Sequence, residues 1–320
     1  MRHAMMVKKD HGVTLIELMI VMVIAAFLVA GIYSLFITQH RSYAVQDQVA
    51  GVQQDARVAL DIMARDIRTA GFMIGSEGFN IHGAQFAVTR DNNTGVPDSI
   101  TVASAADQFM SGATPVTVET VVNNVVDLSA NLSGFFDTST YNFVAFEGDG
   151  MNSLYQITGT GTDTLTLNPT PPANLATITD VTVTGLPPVP TLTEVGARVF
   201  RVKAITYRVQ NNALERSENG GAFQPLAGDG INTIVEDLQF AYQVAGSTDW
   251  IFDADTPTWP AGSDNADIRM VRINIIVRTA IPDPQETSFF KPECEDRGRE
   301  NTFTGCRRRV YTTVVKVRNL

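Results

Sequence analysis

Histidine, cysteine and basic residues are scarce in this 320-residue chain, and each shortage excludes a class of function. The last of the four histidines is His82, so no catalytic triad with histidine and no His-ligated zinc site can lie beyond it. The two cysteines are too few for a tetrahedral thiolate site. No P-loop or complete dinucleotide fingerprint is present. An enzyme is therefore the least expected class.

Acidic residues outnumber basic ones by 34 to 24, which gives a net charge of −10. A body this acidic disfavours broad binding to nucleic acid. Hydrophobic residues make up 44% of the chain, which is ordinary for a folded protein of this length. The composition therefore predicts a chain with a real core and no general affinity for nucleic acid.

A long apolar run lies near the N-terminus. Leu18–Ile37 carries no charge, and at ~1.5 Å per residue it is long enough for a ~30 Å hydrocarbon layer. Lys8 and Lys9 precede the run and favour a cytoplasmic N-terminus. A secretory cleavage site is not indicated, because Leu28 is not small and stands three residues before the plausible cut after Ala30. The hydropathy alone predicts an uncleaved single-span anchor.

Two residues do not fit an ordinary anchor. Gly12 separates the basic leader from the apolar run, and Glu17 near its start is costly in lipid unless it is paired or reaches the interface. The segment Gly12–Val21 (GVTLIELMIV) resembles the class III signal of type IV prepilins and type II secretion pseudopilins. The resemblance implies that prepilin peptidase removes a cytoplasmic leader, residues 1–12, after Gly12 and that Val13 becomes the methylated N-terminus. Val13 departs from the phenylalanine usual there.

The resemblance also implies a role for Glu17 in assembly register. In the family, the glutamate at this position compensates the N-terminal ammonium of a neighbouring subunit. Opposite charges attract strongly in a low-dielectric helix bundle, and burial of either charge alone is penalised.

The helix is predicted to continue beyond the apolar run. Apolar residues recur at spacings of three and four through Val49–Ile67, and Gly71 is a suitable C-terminal stop. A helix over about Val13–Thr69 is expected. Residues 13–37 form its transmembrane or filament-core part, and residues 38–71 form an amphipathic continuation that packs on a sheet.

Residues 72–320 are predicted to form an extracytoplasmic, β-rich head domain. A Thr/Pro-rich insertion at about 158–193 predicts edge strands and exposed loops, or else a disordered linker. The expected fold class is α+β and pilin-like, with a long N-terminal helix packed on an antiparallel β-sheet head. The predicted strands are Ser99–Ser104, Val116–Val122, Tyr141–Glu147, Ser153–Thr158, Thr164–Asn168, Ile178–Thr184, Val199–Gln210, Ile231–Val244, Ile268–Thr279 and Arg309–Arg318.

A second resemblance lies within the body. Asp61–Phe72 (DIMARDIRTAGF) resembles the D-x-R-x-A-G-F/Y helix end of PilW-type minor pilins and of J-type pseudopilins. Four later segments match the PilW pattern in order: Tyr207–Val209, Leu214–Arg216, Ile234–Tyr242 and Val310–Asn319.

Together the resemblances imply a non-catalytic minor pilin of a type IV pilus that primes or joins assembly near the tip. The partners implied are other pilins and minor pilins, prepilin peptidase, the inner-membrane assembly platform and a tip-associated adhesin. The expected location is the bacterial inner membrane, as a single-pass protein with a periplasmic head, and then the pilus. Two alternatives stay open: a J-type pseudopilin of a type II secretion system, and a membrane-anchored adhesin or binding module.

Cys294 and Cys306 enclose a loop rich in charge. In an oxidising periplasm a disulfide between them is expected, and two buried free thiols are the alternative. A basic cluster surrounds the pair. It either neutralises nearby carboxylates, which is the favoured interpretation, or docks an acidic partner or DNA. Its members are Arg297, Arg299, Arg307, Arg308 and Arg309.

An oxygen-rich stretch follows Trp250. Oxygen is the ligand that calcium prefers, but the spacing does not match an EF-hand loop, so solvated turn residues are the favoured interpretation. No cofactor is therefore expected. The weak calcium candidates are Asp253, Asp255, Asp264 and Asp267.

Overall fold

The structure is a computed structural model with two compact units, Met1–Gln48 and Val49–Leu320. The residues it describes are 13–74, 77–91, 96–147, 154–168, 196–229, 233–252, 265–282, 291–295, 297 and 305–318. One helix, α1 (Leu15–Thr69), supplies residues to both units. Its bounds agree with the predicted Val13–Thr69 to within two residues at the start.

In the first unit the apolar side chains of α1 are exposed. Leu15 is 80% exposed, Phe27 76% and Leu35 65%. By length and composition α1 could cross a membrane. Exposed apolar surface of this extent is unfavourable in water, so these residues require lipid or other protein around them.

The second unit is built from strands that follow α1. All of their pairings are antiparallel, as the fold prediction required. The strands are β1 (Glu77–Ile81), β2 (Ala84–Phe86), β3 (Val88–Asp91), β4 (Ser99–Gln108), β5 (Met110–Ser111), β6 (Thr114–Pro115), β7 (Val118–Val122), β8 (Val125–Leu128), β9 (Phe143–Phe146), β10 (Leu154–Thr160), β11 (Thr164–Asn168), β12 (Val199–Gln210), β13 (Ala213–Glu218), β14 (Gln224–Ala227), β15 (Thr233–Val244), β16 (Ile268–Thr279) and β17 (Arg308–Lys316).

The strands form two main sheets. The larger has ten strands in the order β14-β13-β12-β9-β10-β11-β8-β7, with β4 also paired to β12 and β3 paired to β4. The smaller has three strands in the order β15-β16-β17. Two short hairpins, β1-β2 and β5-β6, complete the described strands.

The main core joins the second part of α1 to both sheets. Helix residues at spacings of three and four turn one side into this core, as an amphipathic helix does. Strand residues from the ten-stranded and the three-stranded sheet complete it. The helix contributes Val52, Ala56, Ala59, Leu60, Met63, Ala64 and Ile67, and the strands contribute Ile100, Val102, Tyr207, Phe240, Ile273 and Val315 among others.

Helix α1 ends where the sequence predicts. Gly71 adopts a φ of 78°, a conformation that glycine tolerates best, and its N–H donates to the Ala103 carbonyl at 2.9 Å. The Phe72 carbonyl accepts from the Ala105 N–H, also at 2.9 Å. These bonds join the helix end to β4.

Most predicted strands are present, with bounds that differ by a few residues. The short strands β3, β8, β13 and β14 and the two hairpins were not predicted, because two to six residues carry little periodic signal. In the Thr/Pro-rich insertion at 158–193, the first residues belong to β10 and β11. Residues 169–195, with the predicted strand Ile178–Thr184, lie outside the described part of the chain.

Candidate functional site

Thr14 and Glu17 form a capping box at the start of α1. Glu17 Oε2 accepts a hydrogen bond from the Thr14 backbone N–H at 3.0 Å, and Thr14 Oγ1 accepts one from the Glu17 backbone N–H at 3.3 Å. The Thr14 hydroxyl also donates to Glu17 Oε2 at 2.9 Å. Since the first N–H groups of a helix have no partner within it, these bonds stabilise the helix start.

The capping box gives Glu17 a partner within its own chain. The resemblance to prepilins implies a role for this carboxylate between subunits, and the Thr-x-x-Glu spacing is in addition the signature of a capping box. The role in assembly register stays a prediction. Gly12, the predicted cleavage position, lies outside the described residues, and Val13 directly after it is 75% exposed.

A polar cluster lies at the other end of α1. The Tyr207 hydroxyl on β12 donates to Asp66 Oδ2, and Arg216 Nε on β13 lies 3.3 Å from the same oxygen. Arg216 Nε also donates to the Tyr207 hydroxyl oxygen at 3.3 Å. Burial, together with the charge of Asp66, raises the pKa of Tyr207 above its ordinary value, so the hydroxyl keeps its proton as a donor.

This helix-end cluster joins residues from three of the segments that resemble PilW-type minor pilins. Asp66 belongs to the helix-end segment Asp61–Phe72, Tyr207 to Tyr207–Val209 and Arg216 to Leu214–Arg216. These segments are far apart along the chain, and the fold brings their side chains within hydrogen-bond distance. Their role here is to hold α1 against the ten-stranded sheet.

The arginines of the basic cluster do not share one environment. Arg308 binds Glu236 through two hydrogen bonds, Nε to Oε2 at 2.6 Å and Nη2 to Oε1 at 2.9 Å, and its side chain is 4% exposed. Arg278 Nε lies 3.5 Å from the same carboxylate. Arg308 is therefore held inside the protein, whereas Arg309 is exposed.

Arg297 is held by a second internal carboxylate. Its Nε lies 3.2 Å from Asp237 Oδ2, and Lys291 Nζ lies 2.8 Å from the same oxygen. The Asp237 side chain is 0% exposed. Two neutralising carboxylates, Asp237 and Glu236, thus lie on β15, far from the arginines in sequence, where local charge patterns could not reveal them. Arg299 lies outside the described residues.

Glu295 attaches the same segment to β16. Its two carboxylate oxygens accept from Arg272 Nε at 2.7 Å and Nη2 at 2.8 Å, and Asn274 Nδ2 donates at 2.6 Å. The Arg272 guanidinium also lies 4.5 Å from the ring centroid of Trp250. Residues 291–295 and 297 are therefore held on the outer face of the three-stranded sheet by ion pairs from two strands.

The structure does not support the predicted disulfide. Cys294 and Cys306 are both buried and are not joined to each other. Arg278 Nη1 lies 3.5 Å from Cys306 Sγ, and the Cys294 backbone exchanges hydrogen bonds of 2.9 Å with the Arg297 backbone. Burial, with the charges of Glu295 and Asp237, raises the pKa of the Cys294 thiol to about 12.

The calcium candidates give no described site. Asp253, Asp255 and Asp264 lie outside the described residues, and Asp267 ends a short 3₁₀ turn, Asn265–Asp267. Across the part of the chain that the structure describes, no group of three or more His, Cys, Asp or Glu side chains is placed to hold a metal ion.

Residues 7–33 match the family model of the prokaryotic N-terminal methylation motif. The chain carries this motif. The resemblance to prepilins seen at Gly12–Val21 is therefore confirmed for the N-terminal segment. No curated protein sequence matches the chain. Among solved structures, a type IV-like pilin from Thermus thermophilus aligns over 84% of this chain and 97% of its own, with 13% identity and a TM-score of 0.39.

Proposed function

We propose that the chain is a non-catalytic minor pilin subunit of a type IV pilus, which primes or joins assembly near the tip. The observation that carries the proposal is the methylation motif at residues 7–33, placed on a helix whose apolar side chains are exposed. Such a segment suits storage in a bilayer and then transfer into the helical core of a filament, since both surroundings cover apolar surface.

In the proposed cycle, cleavage after Gly12 frees the amino group of Val13 on the cytoplasmic side, and methylation follows. The head stays in the periplasm and then on the outside of the filament. Glu17 serves twice: it caps α1 through Thr14, and it compensates the N-terminal ammonium of a neighbouring subunit.

The first experiment is mass spectrometry of the mature N-terminus from membranes with and without prepilin peptidase. The expected peptide begins at methylated Val13 and disappears when the peptidase is absent. An intact Met1 in both strains, or a cut near Ala30, would overturn the proposal and favour the membrane-anchored binding module.

Substitutions at the capping box separate its two proposed roles. Glu17→Gln keeps an oxygen that can accept from the Thr14 N–H but removes the charge, whereas Thr14→Ala removes the cap and keeps the charge. We expect Glu17→Gln to abolish recovery of the chain in sheared pili and Thr14→Ala to lower it only modestly. The reverse ranking would assign Glu17 to capping alone.

The J-type pseudopilin is the closest alternative and is tested by deletion. Loss of surface pili with normal secretion of exoproteins supports the minor pilin. Loss of secretion with normal pili would move the chain to a type II secretion system.

A further inference from the structure

Strand β17 is an unusually regular edge of the three-stranded sheet. It pairs with β16 over nine consecutive residue pairs, from Met270 opposite Lys316 to Arg278 opposite Arg308, with no break in register. Strand β15 forms the opposite edge, and its pairing with β16 contains two register shifts. Bulges and irregularities are common ways to blunt an edge, and β17 has none.

The edge of β15 is covered by other parts of the chain. The Leu238 carbonyl accepts from the Asp98 N–H at 2.8 Å, and the Asp98 carboxylate accepts from the Phe240 N–H at 2.9 Å. Tyr242 exchanges two backbone hydrogen bonds of 2.8 Å with Ile251. The fold thus satisfies the backbone of one edge of this sheet from within.

The bonds at the two ends of β17 show which of its backbone groups face outwards. The Thr279 N–H donates to the Arg307 carbonyl at 3.0 Å, and the Val317 N–H donates to the Arg269 carbonyl at 2.9 Å. Odd-numbered residues therefore bond to β16. Because the groups alternate along an antiparallel strand, even-numbered residues direct their N–H and C=O away from it.

Arg318 follows the same alternation, and the outward-facing backbone groups that lack a described partner end before it. Its N–H points outwards and donates to the Arg68 carbonyl at the end of α1, at 3.4 Å. Along the even positions from 310 to 316, none of the described residues supplies a backbone partner of this kind.

The side chains along the open edge are suited to strand pairing. Val310 and Val314 are 37% and 45% exposed, and Thr312 lies between them. The exposed side chains of Arg309 and Lys316 lie at the two ends of this apolar stretch. In a protein of net charge −10, the edge is apolar in the middle and basic at both ends.

We propose that the outer edge of β17, Val310–Lys316, binds an extended segment of a partner protein. That segment is apolar or β-branched in the middle and acidic at both ends. Backbone hydrogen bonds to the even positions supply affinity, and the charged ends select the partner. A second copy of β17 is a poor occupant, since pairing in either direction would bring the basic ends of the two strands together.

This inference concerns the second unit alone and does not require that the chain enter a filament. A chain with an intact Met1 could still bind such a segment. A correctly processed pilin could equally fail to do so, so the two proposals can fail separately.

Hydrogen exchange of the full chain in detergent tests the open edge directly. We expect the N–H groups of residues 310, 312, 314 and 316 to exchange fast and those of 309, 311, 313 and 315 to be protected. Slow exchange at the even positions in the free chain would show that the chain covers its own edge, and would overturn the proposal.

Binding is tested with two labelled peptides, EEVTVTVEE and KKVTVTVKK. The acidic peptide should bind and protect the N–H groups of the even positions from exchange, and its affinity should fall as the salt concentration is raised. The basic peptide should not bind. Equal binding of both peptides overturns the charge selection. Protection of the same positions by self-association at high chain concentration would make a second copy the occupant and overturn the proposed partner.

Two sets of variants separate the backbone and charge contributions. Val314→Pro removes an outward N–H without removing a bond to β16, so it should abolish binding while the head stays folded. Val314→Thr, which keeps the N–H, is its control. The double variant Arg309→Glu, Lys316→Glu should bind the acidic peptide with an affinity lower by about tenfold or more. Its matched control places glutamate at two exposed arginines of α1, Arg57 and Arg65, and should bind normally.

Retention of binding by Val314→Pro would overturn strand pairing as the mode of docking. If that variant fails to fold, the charge pair and its control still decide the question. If both pairs of charge substitutions lower the affinity for the acidic peptide equally, the net charge of the protein, and not the β17 edge, governs peptide binding.

Discussion

Within α1, the first and second units expose similar apolar side chains very differently. Phe27 in the first unit is 76% exposed, whereas Met63 and Ile67 in the second are 0% exposed. The second part packs against two sheets, whereas the described residues of the first unit include no strand that could cover the first part. An apolar residue is therefore not a core residue by itself, and the first part depends on surroundings outside the chain.

The largest expected effect on the free energy of unfolding concerns the buried carboxylate of Asp237 in the second unit. Asp237→Asn leaves Lys291 and Arg297 without their shared carboxylate and should lower the free energy of unfolding by about 3–5 kcal/mol. Urea unfolding of the detergent-solubilised chain, followed by tryptophan fluorescence, measures this. Asp61→Asn, at an exposed position of α1, is the control and should change it by less than about 0.5 kcal/mol. Equal effects would mean that the buried ion pairs do not stabilise the head.

The next test breaks the comparison within α1 itself. Met63→Ala removes a fully buried side chain and leaves a cavity, which should lower the free energy of unfolding by about 2–5 kcal/mol. Phe27→Ala removes a larger but exposed side chain and should leave that free energy unchanged in the same urea titration. A comparable loss in both variants would contradict the different burial of the two parts.

A smaller effect is expected at the helix-end cluster. Tyr207→Phe removes the hydroxyl that donates to Asp66 and accepts from Arg216, so the free energy of unfolding should fall by about 1–3 kcal/mol. Tyr43→Phe, at a position of α1 that is 69% exposed, provides the matched control. No difference between the two variants in thermal unfolding would remove the cluster as an anchor of α1.

The last effect is absent at neutral pH and appears only at alkaline pH. The Cys294 thiol ionises near 9.0 in an ordinary environment and at about 12 in the fold, so the unfolded chain loses this proton first. The free energy of unfolding should therefore fall as pH rises from about 9 towards about 12, by at most about 1.4 kcal/mol per pH unit. In the Cys294→Ala variant, the part of the alkaline decrease in the free energy of unfolding that comes from this thiol should be absent. Identical pH profiles for the two proteins would contradict a buried, neutral thiol.

Local and periodic features could be predicted from the sequence. The start and end of α1 follow from a long apolar and then amphipathic pattern that ends at Gly71, and the long strands β12, β15, β16 and β17 follow from alternation. The capping box could also have been predicted from the Thr-x-x-Glu spacing of Thr14 and Glu17, in addition to the assembly role that the resemblance implies for Glu17. The short strands could not be predicted, because they contain too few residues to show an alternating hydrophobic pattern.

Contacts between distant segments could not be predicted in the same way. The arginines near the cysteines are expected to meet acidic neighbours in their own loop, and the structure adds Asp237 and Glu236 on β15 as partners of Arg297 and Arg308. An oxidising periplasm predicts a disulfide between the two cysteines of this loop, yet both are buried without being joined. Closeness along the chain does not fix the distance between two sulfurs.

By itself, the sequence determined the features that depend on order and spacing along the chain: the methylation motif, the apolar run, the helix and its stop, and the main strands. The tertiary structure decided the partners of Asp66 and Asp237, the burial of the two cysteines and which backbone groups of β17 face away from β16. Those depend on which segments pack together, and the free energy of burial decides that packing over the whole fold and not along any local stretch.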